Sequence, residues 1–393
     1  MFATLLRSAL VAAVCGATLA APALADSSFQ TSAPFALLMD YDTGAVLFEK
    51  NADATMAPAS TTKLLTAEIV FHELKEGRLH PDDRFEVSEN AWRTGGAKSH
   101  GSATFLELHS TVRIEDLLRG MVIQSGNDAA ITLAEGIAGT ESNFAALMNK
   151  RAAELGMTRS TFANSWGAGD PHQRVTPRDM AHLAATIIAN YPDYYRYFSE
   201  KEFTWNKIRQ LNRNPLLTMD LGADGLKTGD LAESGFGLVG SAVQNGQRLI
   251  LVINGLKTAT DRAEESRKLF NWGFHSFDSK TLFQAGDVVG AASVFGGAQS
   301  QVPLVAKGPV KIFVTRGASE KLTAKIVYKG PLAAPVGEGD EVADLKIWRG
   351  ASEVLDVKLK TANAVPIGTL SQRALDAGIE MASGLIRKTF AKD

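Results

Sequence analysis

Apolar positions follow three rhythms along this chain, and each change of rhythm marks a change of architecture. Phe35 to Asp40 and Ala45 to Glu49 are short strand-like runs flanking Tyr41-Asp42-Thr43-Gly44, whose Asp-x-Gly suits a turn, so the segment predicts a hairpin. A helical rhythm follows. Pro58 and a Ser/Thr cluster precede Leu64, Leu65, Ala67, Ile69, Val70 and Phe71, with few breakers before Gly77. Ile114, Leu117, Leu118, Met121 and Val122 fall at i, i+3, i+4, i+7 and i+8, and Ala130, Leu133, Ala134 and Ile137 begin another helix after a short break. Two more helical patterns run through Phe144, Leu147, Met148, Arg151, Leu155 and through Met180, Leu183, Ala184, Ile187, Ile188, separated by a Gly-, Asn- and Pro-rich loop from Phe162 to Thr176. Ser88 to Gly101 is a second polar, glycine-rich loop, suited either to cover a cleft or simply to connect.

Strand signals return at Gly235 to Val243 and Arg248 to Leu256 around Asn245-Gly246, a strong hairpin turn, with Asp224 to Gly229 as a further edge strand and a helix from Asp261 to Trp272. Strands at both ends with helices between predict one α+β domain over residues 26–275. From 276 to 366 the runs are short and β-rich, broken by Gly and Pro, which predicts a small all-β domain. Residues 367–393 turn helical again, with Leu375, Ile379, Ala382, Ile386 and Phe390 on one stripe. Asp376, Glu380, Arg387 and Lys388 make that stretch costly to bury in a bilayer, so it suits an amphipathic helix in the membrane interface, with packing on the β domain as the alternative.

Composition narrows the chemistry. A chain of 393 residues with a 45% hydrophobic content has the material for two or three packed domains. The first 25 residues differ from the rest: Arg7 is their only charge, Leu10 to Leu19 is apolar, and Ala23-Leu24-Ala25 has the small-x-small form of a signal-peptide cleavage site. Cys15 is the only cysteine and would leave with that segment, which excludes a cysteine nucleophile, a disulfide framework and a cysteine-held metal from the mature chain. A net charge of -2, one unit more negative without Arg7, implies no nucleic-acid surface. No metal or organic cofactor is called for.

Candidate chemistry begins at Ser60-x-x-Lys63. Residues three apart share a helix face, so a neutral Lys63 amine could take the Ser60 proton as the hydroxyl attacks a carbonyl, and the helix N-terminus would favour the oxyanion. The alternative is a capping serine followed by a solvated lysine. Ser125-Gly126-Asn127 falls in the tight break between two helices, where it could hold a hydroxyl and an amide rigidly or simply cap both helices; Ser88-Glu89-Asn90 is a second Ser-x-Asn. Lys227-Thr228-Gly229 comes third.

Ser60-x-x-Lys63, Ser125-Gly126-Asn127 and Lys227-Thr228-Gly229, in this order, resemble the low-molecular-mass penicillin-binding proteins that act as D-alanyl-D-alanine carboxypeptidases. The resemblance covers nearly the whole mature chain and implies a β-lactamase/transpeptidase-like catalytic domain, a periplasmic location with peripheral attachment to the cytoplasmic membrane, and two partners, peptidoglycan pentapeptides and β-lactam antibiotics. It implies Ser60 as nucleophile, Lys63 as general base, Ser125 as proton relay, and Asn127 as ligand of both Lys63 and the substrate amide. It further implies Lys227, Thr228, Arg262 and Arg213 around the terminal carboxylate, with Gly229 completing the motif and the amides of Ser60 and Asp230 as oxyanion hole. The pattern breaks after Gly229, where Asp230-Leu231 stand and family members commonly carry a Thr at the second position. A class A β-lactamase is disfavoured because no glutamate occurs between Glu154 and Glu200. A D,D-endopeptidase and a non-catalytic peptidoglycan-binding protein of the same fold are the remaining alternatives.

Overall fold

The computed structural model describes residues 29–316, 321–350 and 352–378. The expected signal peptide, with Cys15, lies outside the described residues, as does the tail from Ile379 onward. In chain order the first domain comprises β1 (Phe35–Asp40), β2 (Val46–Lys50), α1 (Lys63–Lys75), β3 (Arg84–Glu86), β4 (Thr111–Arg113), α2 (Ile114–Ile123), α3 (Asn127–Ala138), α4 (Glu141–Glu154), α5 (Pro177–Asn190), α6 (Pro192–Tyr195), β5 (Glu202–Trp205), β6 (Ile208–Leu211), β7 (Ala223–Leu231), β8 (Gly235–Gln244), β9 (Gln247–Leu256) and α7 (Ala259–His275). Five strands form one antiparallel sheet in the order β2-β1-β9-β8-β7, so the chain's first hairpin and its late strands meet across the β1–β9 pairing. β7 is left as an edge, open on one side to the helices.

Helix α1 is the axis of the helical side. Every residue from Lys63 to Phe71 is buried, which is the pattern of a helix surrounded by protein on all faces rather than an amphipathic surface helix. That position makes its polar residues demanding. Glu68 is fully buried and is satisfied by the Arg151 guanidinium of α4 at 2.7 Å and the Tyr191 hydroxyl at 2.8 Å. Ser60 departs slightly from the sequence expectation: Ala59–Thr62 winds as a 3-10 turn just before α1 rather than as its first α-helical turn, with Ala59 in the left-handed region at φ 50°.

The second domain begins as α7 ends, and Trp272 meets Phe277 edge-to-face at 4.8 Å across the junction. Its strands are β10 (Phe277–Phe283), β11 (Val288–Phe295), β12 (Gln301–Ala306), β13 (Val310–Thr315), β14 (Leu322–Tyr328), β15 (Leu332–Ala333), β16 (Glu341–Arg349) and β17 (Ser352–Thr361). β10 pairs with β13, and the other six form a sheet in the order β14-β16-β17-β12-β11-β15. Residues 370–378 then form a helix whose start is a capping box: Thr369 and Gln372 exchange backbone N–H bonds with each other's side chains at 2.8 and 3.4 Å. The Gly296 amide donates to Asp376 at 2.8 Å and holds this helix to the β domain, while Leu370 and Leu375 stay exposed.

Removing Arg151 would strand the Glu68 carboxylate inside the helical core. Arg151→Ala should therefore cost about 3–5 kcal/mol, measured as a shift in the denaturant midpoint, and a loss below about 1 kcal/mol would show that Tyr191 alone satisfies the carboxylate.

Candidate active site

The Ser60 turn is held from two sides. The Asn254 amide of β9 donates to the Ala57 carbonyl at 3.3 Å, and Gly229 of β7 lies so close that a methyl there would sit 3.0 Å from the Pro58 carbonyl oxygen and 3.0 Å from the Ser60 nitrogen. From the loop side, Gly167 at φ 92° approaches the Ala59 carbonyl closely enough that a methyl would overlap it. Two glycines are thus required by backbone approach to the nucleophile, one of them also by its left-handed conformation.

Lys63 is fully buried, and three groups surround its amine: Ser60 Oγ at 2.9 Å, Asn127 Oδ1 at 2.8 Å and the Trp166 carbonyl at 2.5 Å. A neutral amine has two N–H bonds and one lone pair. In that form the two carbonyl oxygens can accept the N–H bonds and leave the lone pair for the Ser60 hydroxyl, whereas an ammonium ion would donate to all three. Burial, reinforced by the nearby Lys227 charge and opposed by Asp128, Glu141 and Asp230, holds the Lys63 pKa well below that of an ordinary lysine.

The Trp166 carbonyl is a contributor that motif reading misses, because a backbone oxygen leaves no mark in the sequence. Its loop is fastened at both flanks: the Thr66 hydroxyl donates to the Ser165 carbonyl at 2.6 Å, and the Ser165 amide and hydroxyl both donate to Glu141 of α4, the amide at 3.2 Å. Asn164 accepts from the Gly167 and Ala168 amides at 2.8 and 2.9 Å. Only the Gly, Asn and Pro content of Phe162 to Thr176 hinted at so built a loop.

Ser125 and Asn127 occupy the break between α2 and α3, with Ser125 buried and left-handed at φ 69°. Asp128, the next residue, is buried and accepts from the Thr104 and Leu106 amides at 2.8 and 3.1 Å, while the Asn127 amide donates to the Ser102 carbonyl at 2.8 Å. The polar, glycine-rich loop is thereby pinned beside the Ser125-Gly126-Asn127 break, and a methyl on Gly101 would reach 2.9 Å from Asn127 Nδ2. Ser88 and Asn90 both bond to Glu135, so the second Ser-x-Asn has a structural role.

Side chains alternate along β7. Lys227 and Gly229 share the face toward Ser60; Thr228 and Asp230 share the other. Lys227 and Thr228 are buried and Asp230 is exposed. Asp230 stands directly opposite Phe236 of β8, and the Arg262 guanidinium of α7 lies 5.7 Å from the Phe236 ring, which puts Arg262 on the Thr228–Asp230 face. Arg262 is only 8% exposed and its Nε has no hydrogen-bond partner. Arg213 is exposed at the site's edge, its backbone amide donating to the Ile123 carbonyl at 3.1 Å, near enough for its charge to act on both Lys227 and Arg262. Burial first, then the Arg213 and Arg262 charges, push the Lys227 pKa down to about 7. Two buried cations, Lys227 and Arg262, the latter with one orphaned guanidinium nitrogen, thus flank the β7 edge that packs on the Ser60 turn. Such a site can hold an anion and acylate the carbonyl next to it.

Residues 20–258 match the family described as D-alanyl-D-alanine carboxypeptidase, and residues 277–366 match the penicillin-binding protein 5 C-terminal domain. The chain is 41% identical over 312 residues to the D-alanyl-D-alanine carboxypeptidase DacC of Escherichia coli (strain K12), covering 79% of this chain and 78% of that protein. It is 36% identical over 339 residues to DacA of Haemophilus influenzae, covering 86% of each. The crystal structure of penicillin binding protein 5 from Haemophilus influenzae superposes with a TM-score of 0.73 at 36% identity, covering 86% of this chain and 99% of that one.

Because the folded Lys227 pKa lies below that of an unfolded lysine, burying it opposes folding fully below about pH 7, and this cost fades as pH rises from about 7 toward about 10. Lys227→Met should melt at a higher temperature than the unliganded wild type at pH 7, and the gap should narrow by pH 9.5; a pH-independent gap would assign it to packing.

Proposed function

The chain belongs to the D-alanyl-D-alanine carboxypeptidase family, and from that premise we propose that Ser60 carries the acyl group as a serine hydrolase of this family removes the terminal D-alanine from peptidoglycan stem peptides. The observation that carries the assignment is the Lys63 amine, buried, 2.9 Å from Ser60 Oγ and depressed in basicity.

In this reading the substrate's terminal carboxylate enters the pocket of Lys227, Thr228 and Arg262, with Arg213 adding charge at the edge. Lys63 takes the Ser60 proton as Oγ attacks the penultimate carbonyl. The oxyanion faces the Ser60 amide, at the start of a helical turn where N–H groups lack intrahelical partners, and the Asp230 amide one residue beyond the contact of Gly229 with Ser60. Asn127 holds the amine and the substrate amide, and Ser125 passes the proton to the departing D-alanine nitrogen. Water then attacks the ester with Lys63 again as base, releasing the shortened peptide. Penicillins follow the first half of this path, with the ring carboxylate in the same pocket. A neutral Lys63 is required, so acylation falls as pH drops through its pKa. A charged Lys227 is also required, so acylation by a free carboxylate ligand weakens again above about pH 7.

The same reading places the mature chain in the periplasm, exported by the N-terminal segment and attached peripherally to the cytoplasmic membrane by its C-terminal helix. Leu370 and Leu375, exposed at the start of that helix, support the attachment, while the Gly296–Asp376 bond ties the same turn to the β domain. Among the described residues no helix is long and apolar enough to cross a membrane.

Two experiments test this. Ser60→Ala should lose both D-alanine release from a pentapeptide and covalent labelling by penicillin, and Lys227→Arg, whose charge does not titrate, should keep labelling but lose the alkaline limb of its pH profile. Labelling of Ser60→Ala would overturn the nucleophile. A chain ending at Gly368 should stay active and move to the soluble periplasmic fraction, and identical fractionation of both forms would refute attachment through the helix.

A further inference from the structure

The exposed carboxylate at position 230 lies at the rim of the pocket assigned to the substrate's terminal carboxylate. Its position is fixed by three observations. It follows Gly229, which packs on the Ser60 turn; it shares a face of β7 with Thr228; and it is directly opposite Phe236, over whose ring Arg262 lies at 5.7 Å. It forms no ion pair within 4 Å of Arg262, yet its charge acts on Arg262, Lys227 and Lys63 alike. A negative charge placed there weakens a pocket built for anions, and nothing in the reaction as derived uses it, since the oxyanion needs only the backbone amide.

The leaving residue shows what such a charge can act on. The carbon that bears the terminal carboxylate also bears the side chain of the terminal D-residue. With the carboxylate in the pocket of Lys227, Thr228 and Arg262, that side chain begins one bond away, near the rim where Asp230 stands. We infer that Asp230 makes this enzyme select the leaving D-amino acid by charge, accepting terminal D-residues with a cationic side chain and rejecting those with an acidic one, while D-alanine is taken on its carboxylate alone. The inference rests on the carboxypeptidase reading of the same pocket.

Two opposite unit charges at an exposed, partly screened distance differ in effect by roughly tenfold in a rate constant. Three pentapeptides identical except for a last residue of D-Ala, D-Lys or D-Glu would be compared by kcat/KM in the wild type, Asp230→Asn and Asp230→Lys, with penicillin labelling reporting that each variant is folded. The wild type should prefer D-Lys over D-Glu by about tenfold at low salt, with the preference fading toward 1 M salt as the Debye length shrinks to about 3 Å. Asp230→Asn should bring the two within about twofold, and Asp230→Lys should invert them. An unchanged ratio across the three proteins, with D-Ala still released, overturns the inference and leaves the carboxypeptidase reading standing. Failure of the wild type to release D-Ala overturns both.

Discussion

The amine of Lys63 has three neighbours, and the structure depends on their chemistry. Two are carbonyl oxygens and one is a hydroxyl: a neutral amine can donate to the first two and accept from the third, and it is burial with the nearby Lys227 charge that disfavours the ammonium ion. Holding that shell together requires three separate parts of the fold to converge on one atom: the Ser60 turn, the break between α2 and α3, and the loop through Trp166. Burial of α1 from Lys63 to Phe71 makes this possible, because a side chain at its first residue is surrounded on every side.

The same burial produces the site's electrostatic tension. In the proposed reaction Lys63 works uncharged and Lys227 charged; desolvation lowers both pKa values, helped at Lys63 by the Lys227 charge and at Lys227 by the Arg213 and Arg262 charges. Arg262 and Arg213 add positive charge, and among the described residues neither forms an ion pair within 4 Å. In the proposed reaction a carboxylate ligand would relieve this repulsion and favour Lys227 as ammonium, with Arg262 Nε free to donate to it. Asp230, exposed to solvent, offsets this field in part.

Much of the remaining structure fixes these groups in place. Asp128 fastens the loop beside Asn127, Glu141 fastens the loop that carries Trp166, and Glu68 ties α1 to α4 and to Tyr191. All three are acids buried or half-buried on the helical side, and each serves backbone or side-chain donors that would otherwise lack partners. Their common effect is rigidity around Lys63, which suits a reaction whose barrier depends on positioned groups more than on motion.

The sequence by itself determined the elements and the chemical parts. Periodicity set the helices around Leu117 and Leu183, Asn245-Gly246 set the β8–β9 turn, and Ser60-x-x-Lys63 set a contact within one helical turn, because spacing along a helix converts directly into distance. Ser125-Gly126-Asn127 could be located, and preferred over Ser88-Glu89-Asn90 because two strong helices fix it, but not aimed; in the fold Glu135 occupies Ser88 and Asn90. Tertiary structure alone decided what surrounds Lys63 from a distance in sequence. The Trp166 oxygen belongs to every residue type alike, the close approach of Gly229 to Ser60 depends on β7 lying at the sheet edge, and the burial that lowers the lysine pKa values is a property of packing. Local pattern records which groups are present; desolvation and convergence arise only when segments more than 60 residues apart, such as those joined by the Lys63–Asn127 bond, are brought together in one protected volume.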